Sequence, residues 1–412
     1  MVIKAKNLLY VSIYLYLVSV FCCSTGTGID HYFSLAAFGL LIGAFIIYCL
    51  TAPITNIRLT NFFIFSCLFW IFNLFSYTWS SYKSSFFESN IINDAIQILP
   101  LILIITNITK NKESIQALMK IFLSAVFTMI FVIIARTPIS DYTNGIRIGT
   151  VTGLWVNELG RYYVFALVFL FYFFKESKKR IYKISCILLM LIIMVFMLLT
   201  QSKGPIINIL LFVFISAVLL SKNWEKALKN LALVVVLCLL VVIILINNAY
   251  FNENVLSRFT ELFNFFSDAD ELGSTATRFK LMGFGFNLFL ESPIFGQGYN
   301  AVHGYTASIG FMISTYSHCN YVEILSSTGL IGLVLYLYPI LQLFKLYPSR
   351  NKDPLIKMCL ALTVLILITD IYSISYSQIG NVFVLCLCSG LLSQNKVKNK
   401  VDYKINQVKQ LV

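Results

Sequence analysis

Long apolar runs separated by short polar connections recur along nearly the whole chain. A hydrocarbon core about 30 Å thick asks for roughly 17–25 mostly apolar residues per helical crossing, so such runs read as membrane helices. Inside lipid every backbone N–H and C=O must be satisfied within the protein, and these runs lack the two-residue alternation of a barrel strand, which leaves helices. They cover residues 8–23, 32–50, 62–77, 91–108, 115–135, 162–174, 181–200, 205–220, 227–247, 321–346, 355–372 and 379–392. The fourth is the least uniform, because Asn93, Asp94, Gln97 and Pro100 interrupt it. Only 12% of the 412 residues are charged, against about a quarter in soluble globular domains. The expected fold class is all-α and polytopic, with about 12 transmembrane helices.

Charge sets the expected orientation. Short loops rich in Lys and Arg stay on the cytoplasmic side. Placing both termini there puts 23 of the 31 basic residues inside, around Lys4 and Lys6, Arg58, 110–120, 175–183, 222–229, 345–357 and the carboxyl tail. The acids run the other way, with 13 of 18 outside. The formal net charge of +13 then follows from topology, and no nucleic-acid partner is expected. Lys4 and Lys6 ahead of an apolar run also fit a signal peptide, yet no small-residue cleavage site follows Phe21-Cys22-Cys23, so an uncleaved first helix is the expectation. The ten cysteines mostly sit inside apolar runs without a paired CxxC spacing. They read as small buried hydrophobes, and neither a disulfide framework nor a metal site is indicated.

Four segments are expected: transmembrane helices 1–9 over residues 1–248, an extracytoplasmic loop over 249–319, transmembrane helices 10–12 over 320–394, and a basic cytoplasmic tail over 395–412. A loop of roughly seventy residues is unusual, and loops of that length tend to be functional. Within it, residues 255–266 and 276–290 repeat Phe and Leu at helical spacing. Short amphipathic helices are expected there, lying on the membrane surface or capping the bundle. Ser292-Pro293-Ile294-Phe295-Gly296-Gln297-Gly298-Tyr299-Asn300 reads as a turn, and no phosphate-cradling glycine loop is present.

All three histidines, His31, His303 and His318, fall on the outer side of this topology. His318 stands just before the tenth run, in Ser317-His318-Cys319-Asn320-Tyr321-Val322-Glu323. Imidazole suits the removal of a hydroxyl proton near neutral pH. A helix-capping histidine that touches only backbone or water fits the same position equally well. The outer basic residues are Lys83, Arg136, Arg147, Arg161, Lys203, Arg258, Arg278 and Lys280, and interfacial snorkelling accounts for many such residues. Arg161 and Lys203 lie close to membrane-helix ends, where a charge usually has a partner. Arginine suits a diphosphate because its planar fork donates two parallel hydrogen bonds and stays charged. For Glu158, Glu323 and Asp370, salt bridging to such cations is favoured over orienting His318. Gly329 and Gly332, three apart on one run, read as a site of close helix packing.

Several of these strings together resemble the O-antigen polymerase and O-antigen ligase superfamily of bacterial envelope glycan assembly. Tyr77-Thr78-Trp79-Ser80 is similar to the family's WS at the outer end of an early helix, and Thr200-Gln201-Ser202-Lys203-Gly204 to its SRG. Arg278 followed by a helix and by Pro293-Ile294-Phe295-Gly296-Gln297-Gly298 is similar to its Arg and PxxGxG. His318 through Gly332 resembles HNxYxE followed by GLIG, and the segment from Arg147 to Asn157 resembles an Arg-Gly-Asn outer loop. Two positions depart from the pattern. Lys203 stands where Arg is commoner, which keeps the charge but forfeits bidentate binding, and Cys319 stands where Asn is common.

The resemblance implies a metal-independent glycosyltransferase without cofactor, located in the bacterial plasma membrane with its active site on the extracytoplasmic face. Its donor and acceptor would be polyprenyl diphosphate-linked oligosaccharides, and a chain-length regulator and flippase of the same pathway would be further partners. On this resemblance His318 is the catalytic base. Arg278, Lys203, Arg147 and Arg161 bind the diphosphate, and Asn320, Tyr321 and Glu323 support the base. The implied activity is a surface-polysaccharide polymerase, with a ligase to lipid A-core and a flippase of lipid-linked sugars as alternatives.

Overall fold

The structure is a computed structural model. It describes residues 2–24, 28–51, 57–83, 85–143, 146–218, 225, 229, 274–311, 315–351 and 353–394. The ninth apolar run, the amphipathic stretch 255–266, Arg258 and the basic tail 395–412 lie outside the described residues. Among the described residues the chain is helical, without strands. The α-helices are α1 (Val2–Cys22), α2 (Gly28–Thr51), α3 (Asn61–Trp79), α4 (Ser85–Ile108), α5 (Lys112–Arg136), α6 (Ile139–Thr143), α7 (Val156–Glu176), α8 (Arg180–Leu199), α9 (Lys203–Val218), α10 (Ser274–Glu291), α11 (Ala301–Ser308), α12 (Asn320–Leu341), α13 (Pro354–Thr369) and α14 (Ile379–Gln394). Seven described helical spans are long and apolar enough to cross a membrane: Lys4–Cys22, Ile29–Thr51, Asn61–Trp79, Asn90–Ile108, Lys112–Arg136, Arg180–Leu199 and Asn320–Ser349. The shorter α9, α13 and α14 are also apolar, and the expected run 162–174 falls within α7.

The chain divides into two compact units. The first comprises Met1–Ile57, Lys112–Thr260 and Ser349–Leu362. Its centre is α7, whose residues are buried without a break from Leu159 to Leu170, as befits a helix that is apolar all round. Gly160 lets α9 approach it, since a Cβ there would meet Pro205 Cγ at 2.0 Å. Ion pairs join residues that the charge pattern assigns to the same side. Lys112 meets Glu176 at 3.0 Å and Asp353 at 3.3 Å, and Arg136 meets Asp30 at 3.2 Å. Arg136 is therefore paired, and snorkelling does not account for it.

The second unit comprises Arg58–Asn111, Glu261–Pro348 and Thr363–Val412. Here α3 exposes a regular apolar stripe, Ile64, Leu68, Ile71, Phe75 and Trp79, at the helical spacing of a lipid-facing surface. The notable departure from the expected helices is in α12, which is broken at Gly329 (φ 63°, ψ −160°). At the break the turn at 293–298 supplies the missing backbone partners. Leu330 N donates to Pro293 O (2.9 Å) and Ile331 N to Ile294 O (3.3 Å), while Ser326 O and Ser327 O accept from Gln297 N (2.8 Å) and Gly298 N (2.9 Å). A polar backbone inside a membrane helix survives only when protein satisfies it in this way. Glycine is required on both sides of the junction. A Cβ on Gly296 (φ 72°) would lie 2.4 Å from Ser327 C, and one on Gly329 would lie 2.3 Å from Ile294 O. The expected close packing at Gly329 is thus corrected: the glycine interrupts its helix and receives a loop.

Candidate active site

The turn at 293–298 is also held from its other side. Trp79 Nε1 donates to Gly296 O at 3.2 Å, and a Cβ on Gly298 (φ 98°) would meet Ser80 Cβ at 2.4 Å. Trp79-Ser80, the glycine turn and the broken helix are far apart in sequence yet form one layered junction in the second unit.

His318 and Arg278 belong to the same unit. His318 occupies the left-handed region (φ 60°), where a residue other than glycine is uncommon and costs roughly 1–2 kcal/mol. The backbone around it is tied on both sides. Ser317 N donates to Glu323 Oε2 (2.8 Å), and Ser317 Oγ bonds Cys319 O (2.9 Å). Asn320 N, the first amide of α12, donates to Asp370 O (2.7 Å). Asn320 Nδ2 reaches Asp370 Oδ2 (3.1 Å), and Asn320 Oδ1 accepts from Ser375 N (3.0 Å) and Tyr376 N (3.2 Å). Asp370 also accepts from Tyr336 OH (2.7 Å) and from Ser375 Oγ. Tyr321 OH donates to Leu367 O (2.6 Å).

The imidazole itself is half-buried and packs against Tyr316, ring centroids 4.5 Å apart. Burial and then the nearby Arg278 charge lower its pKa from 6.5 to about 4, so the ring is neutral at physiological pH. Arg278, on α10, is itself pushed below its ordinary pKa by burial. The capping alternative is corrected, because the residue at the helix cap is Cys319 and the first amide is taken by Asp370.

The other expected cations lie in the first unit. Arg161 is buried inside α7, with its charge acting on Glu158, which accepts from Tyr162 OH at 2.5 Å. Lys203 opens α9 after a buried turn, Thr200-Gln201-Ser202, in which Ser202 Oγ donates to Asn157 Oδ1 at 2.5 Å. Arg147 is exposed, and its neighbour Ile148 N donates to Leu199 O at 3.2 Å. The segments that carry Arg147 and Asn157 thus both meet the turn between α8 and α9 that leads into Lys203.

Salt bridging was the expected role of Glu323 and Asp370. Both are buried and accept hydrogen bonds from neutral donors, Glu323 from Ser317 N and Asp370 from Asn320 Nδ2, Tyr336 OH and Ser375 Oγ. The sequence reading missed Tyr336 and Ser375 as members of this network. Asp370 did carry a signal, as an acid within an apolar run, whereas an isolated serine or tyrosine carries none.

Residues 187–337 match the family model described as O-Antigen ligase. The matched segment contains Lys203, Arg278 and His318. No curated protein matches the chain. Glycan transfer of the O-antigen polymerase or ligase type, by a multi-pass membrane protein, is the general function that this match and the apolar helices support. Residues 187–337, a little over a third of the chain, are thus similar to the O-Antigen ligase family.

Proposed function

We propose that this protein polymerises a bacterial surface polysaccharide of the O-antigen or capsule type. It moves a growing polyprenyl diphosphate-linked glycan onto a lipid-linked repeat unit at the outer face of the plasma membrane. The observation that carries this reading is a half-buried imidazole held at a fixed, left-handed turn that opens α12; burial, and then the charge of Arg278, lower its pKa. His318 takes the proton of the acceptor hydroxyl. The hydroxyl oxygen bonds to the anomeric carbon of the donor glycan, and the bond from that carbon to the diphosphate breaks, its electron pair leaving on the diphosphate. Fixed cations stabilise that developing charge best in a partly dry site. Arg278 is such a cation in the unit that holds His318, and within the other unit Lys203, Arg147 and Arg161 are the further diphosphate-binding candidates. Asn320, Tyr321 and Glu323 hold the turn, and the scheme needs no metal or cofactor.

The His318–Asn320–Tyr321 string and the Gly329–Gly332 run favour the polymerase over a ligase to lipid A-core. A flippase of lipid-linked sugars would use a broken helix to bind its cargo. In α12 the break is filled by the backbone of residues 293–298, which counts against that reading. The deciding experiment is the fate of lipid-linked oligosaccharide in a deletion strain. Accumulated single repeat units are expected. Full-length polymer stranded on its carrier would make the protein a ligase, and unaltered surface polymer would end the proposal.

A further inference from the structure

Helix α10 is apolar on two faces, only one of which the packing of the unit explains. One face, with Leu281, Gly285 and Leu288, is buried against the unit, and a Cβ on Gly285 would meet Val322 Cγ1 at 2.5 Å. The opposite face exposes Phe279, Phe286 and Leu290, which fall on one line at spacings of seven and four residues. Past the end of the helix the exposed apolar surface continues through Ile294 and Phe295. Phe295 packs edge-on against Trp79, ring centroids 6.4 Å apart. Trp79 is the last residue of the membrane-crossing helix α3 and of its exposed stripe. The apolar surface of α10 is therefore continuous with a lipid-facing one, and the two join at a tryptophan, a residue enriched where membrane meets water.

We propose that α10 is an interfacial helix, its Phe279–Phe286–Leu290 face seated among the acyl chains of the leaflet that the Trp79 end of α3 reaches. Exposed Lys280 and Asn287 border the stripe, where polar tips can reach the head groups. A water-facing helix would instead leave three large, half-exposed apolar side chains in a row hydrated. Arg278 lies on the flank of the same helix, between the stripe and the packed face, and is thereby held near head-group level. That is the depth of a lipid-borne diphosphate, a consequence that rests on the function proposed above.

The test replaces Phe286 with the photo-crosslinker benzoylphenylalanine in the full-length protein, in nanodiscs of phosphatidylethanolamine and phosphatidylglycerol. The same replacement at Phe75 of α3 and at Leu288 of the packed face supplies the references. Phospholipid adducts at Phe286 are expected at a yield within about threefold of that at Phe75, with crosslinks inside the chain alone at Leu288. Crosslinks only within the chain at Phe286, or no adduct there, would overturn the proposal. Adducts that form only when a polyprenyl diphosphate-linked glycan is supplied would also overturn it, by making the stripe a seat for the substrate's tail. These outcomes do not depend on whether His318 is the base, so the proposed function and the seating of α10 can fail separately.

Discussion

The turns that open α9 and α12 use one backbone device with different results. Each sets a residue other than glycine in the left-handed region two positions before its helix, Gln201 (φ 51°) ahead of Lys203 and His318 (φ 60°) ahead of Asn320. In the first turn the strained residue points inward: Gln201 is buried with Thr200 and Ser202. In the second, the bonds to Glu323 and Asp370 fix the backbone, while the side chain remains half-buried against Tyr316, within the influence of the Arg278 charge. The same strain thus supports packing in one unit and, in the function proposed here, chemistry in the other. What separates the two is where the neighbours take their hydrogen bonds.

The sharpest way to break this comparison is a glycine at each turn. His318→Gly is expected to lose roughly 10²–10⁴-fold in polymerisation rate. Its unfolding midpoint in detergent should hold or rise, because glycine accepts a left-handed φ without the penalty of about 1–2 kcal/mol. Gln201→Gly gains the same relief but empties a buried position, so it should lose stability before it loses rate. Equal rates for His318→Gly and the unaltered protein would remove the imidazole from the chemistry.

Arg278→Ala should cost roughly 10²–10³-fold in rate, as loss of one fixed donor to a developing anion does. It should also move the acid limb of the pH–rate profile upward, since the Arg278 charge opposes the imidazolium. The sign for stability follows the same shift. An unfolded histidine protonates near 6.5, whereas this one resists until about 4. Stability is therefore full above pH 6.5 and falls as the pH drops toward 4. An Arg278→Ala profile superimposable on that of the parent would place the guanidinium too far away to matter.

Asp370→Asn sets an amide NH₂ among three donors and should destabilise the second unit by about 1–3 kcal/mol, measured as a lower unfolding midpoint. Glu323→Gln keeps an acceptor for Ser317 N and should be milder than Glu323→Ala. The smallest effect is expected from Lys203→Arg, within about threefold in rate if charge alone is used at that position. A larger loss would mean that the compact ammonium fits a space that a guanidinium cannot enter.

Much of the helical layout was legible in the sequence, because a run of apolar residues long enough to span lipid has few other fates. Eleven of the twelve expected runs fall on described helices. That residues 276–290 form a helix was legible too, as α10. His318, Arg278 and Lys203 stood out as lone polar residues beside apolar runs, where charge is costly and therefore informative. The break in α12 was not legible. A glycine within an apolar run has the same sequence signature whether it lets a neighbouring helix approach or yields its hydrogen bonds to a loop 30 positions earlier. The roles of Glu323 and Asp370 were misjudged for a related reason: a buried acid announces that it has a partner without saying which.

The sequence by itself determined that this chain is helical and lives in lipid, and which few polar residues stand out against that background. Both follow from the local cost of placing backbone and charge in hydrocarbon, which is paid residue by residue. Only the tertiary structure decided that Trp79, Gly296 and Gly329 form one junction, and that Asp370 and Ser375 anchor the turn carrying His318. Those contacts join segments up to 217 positions apart, and the hydrogen-bond partner of a buried group is a property of the packed arrangement that no local pattern encodes.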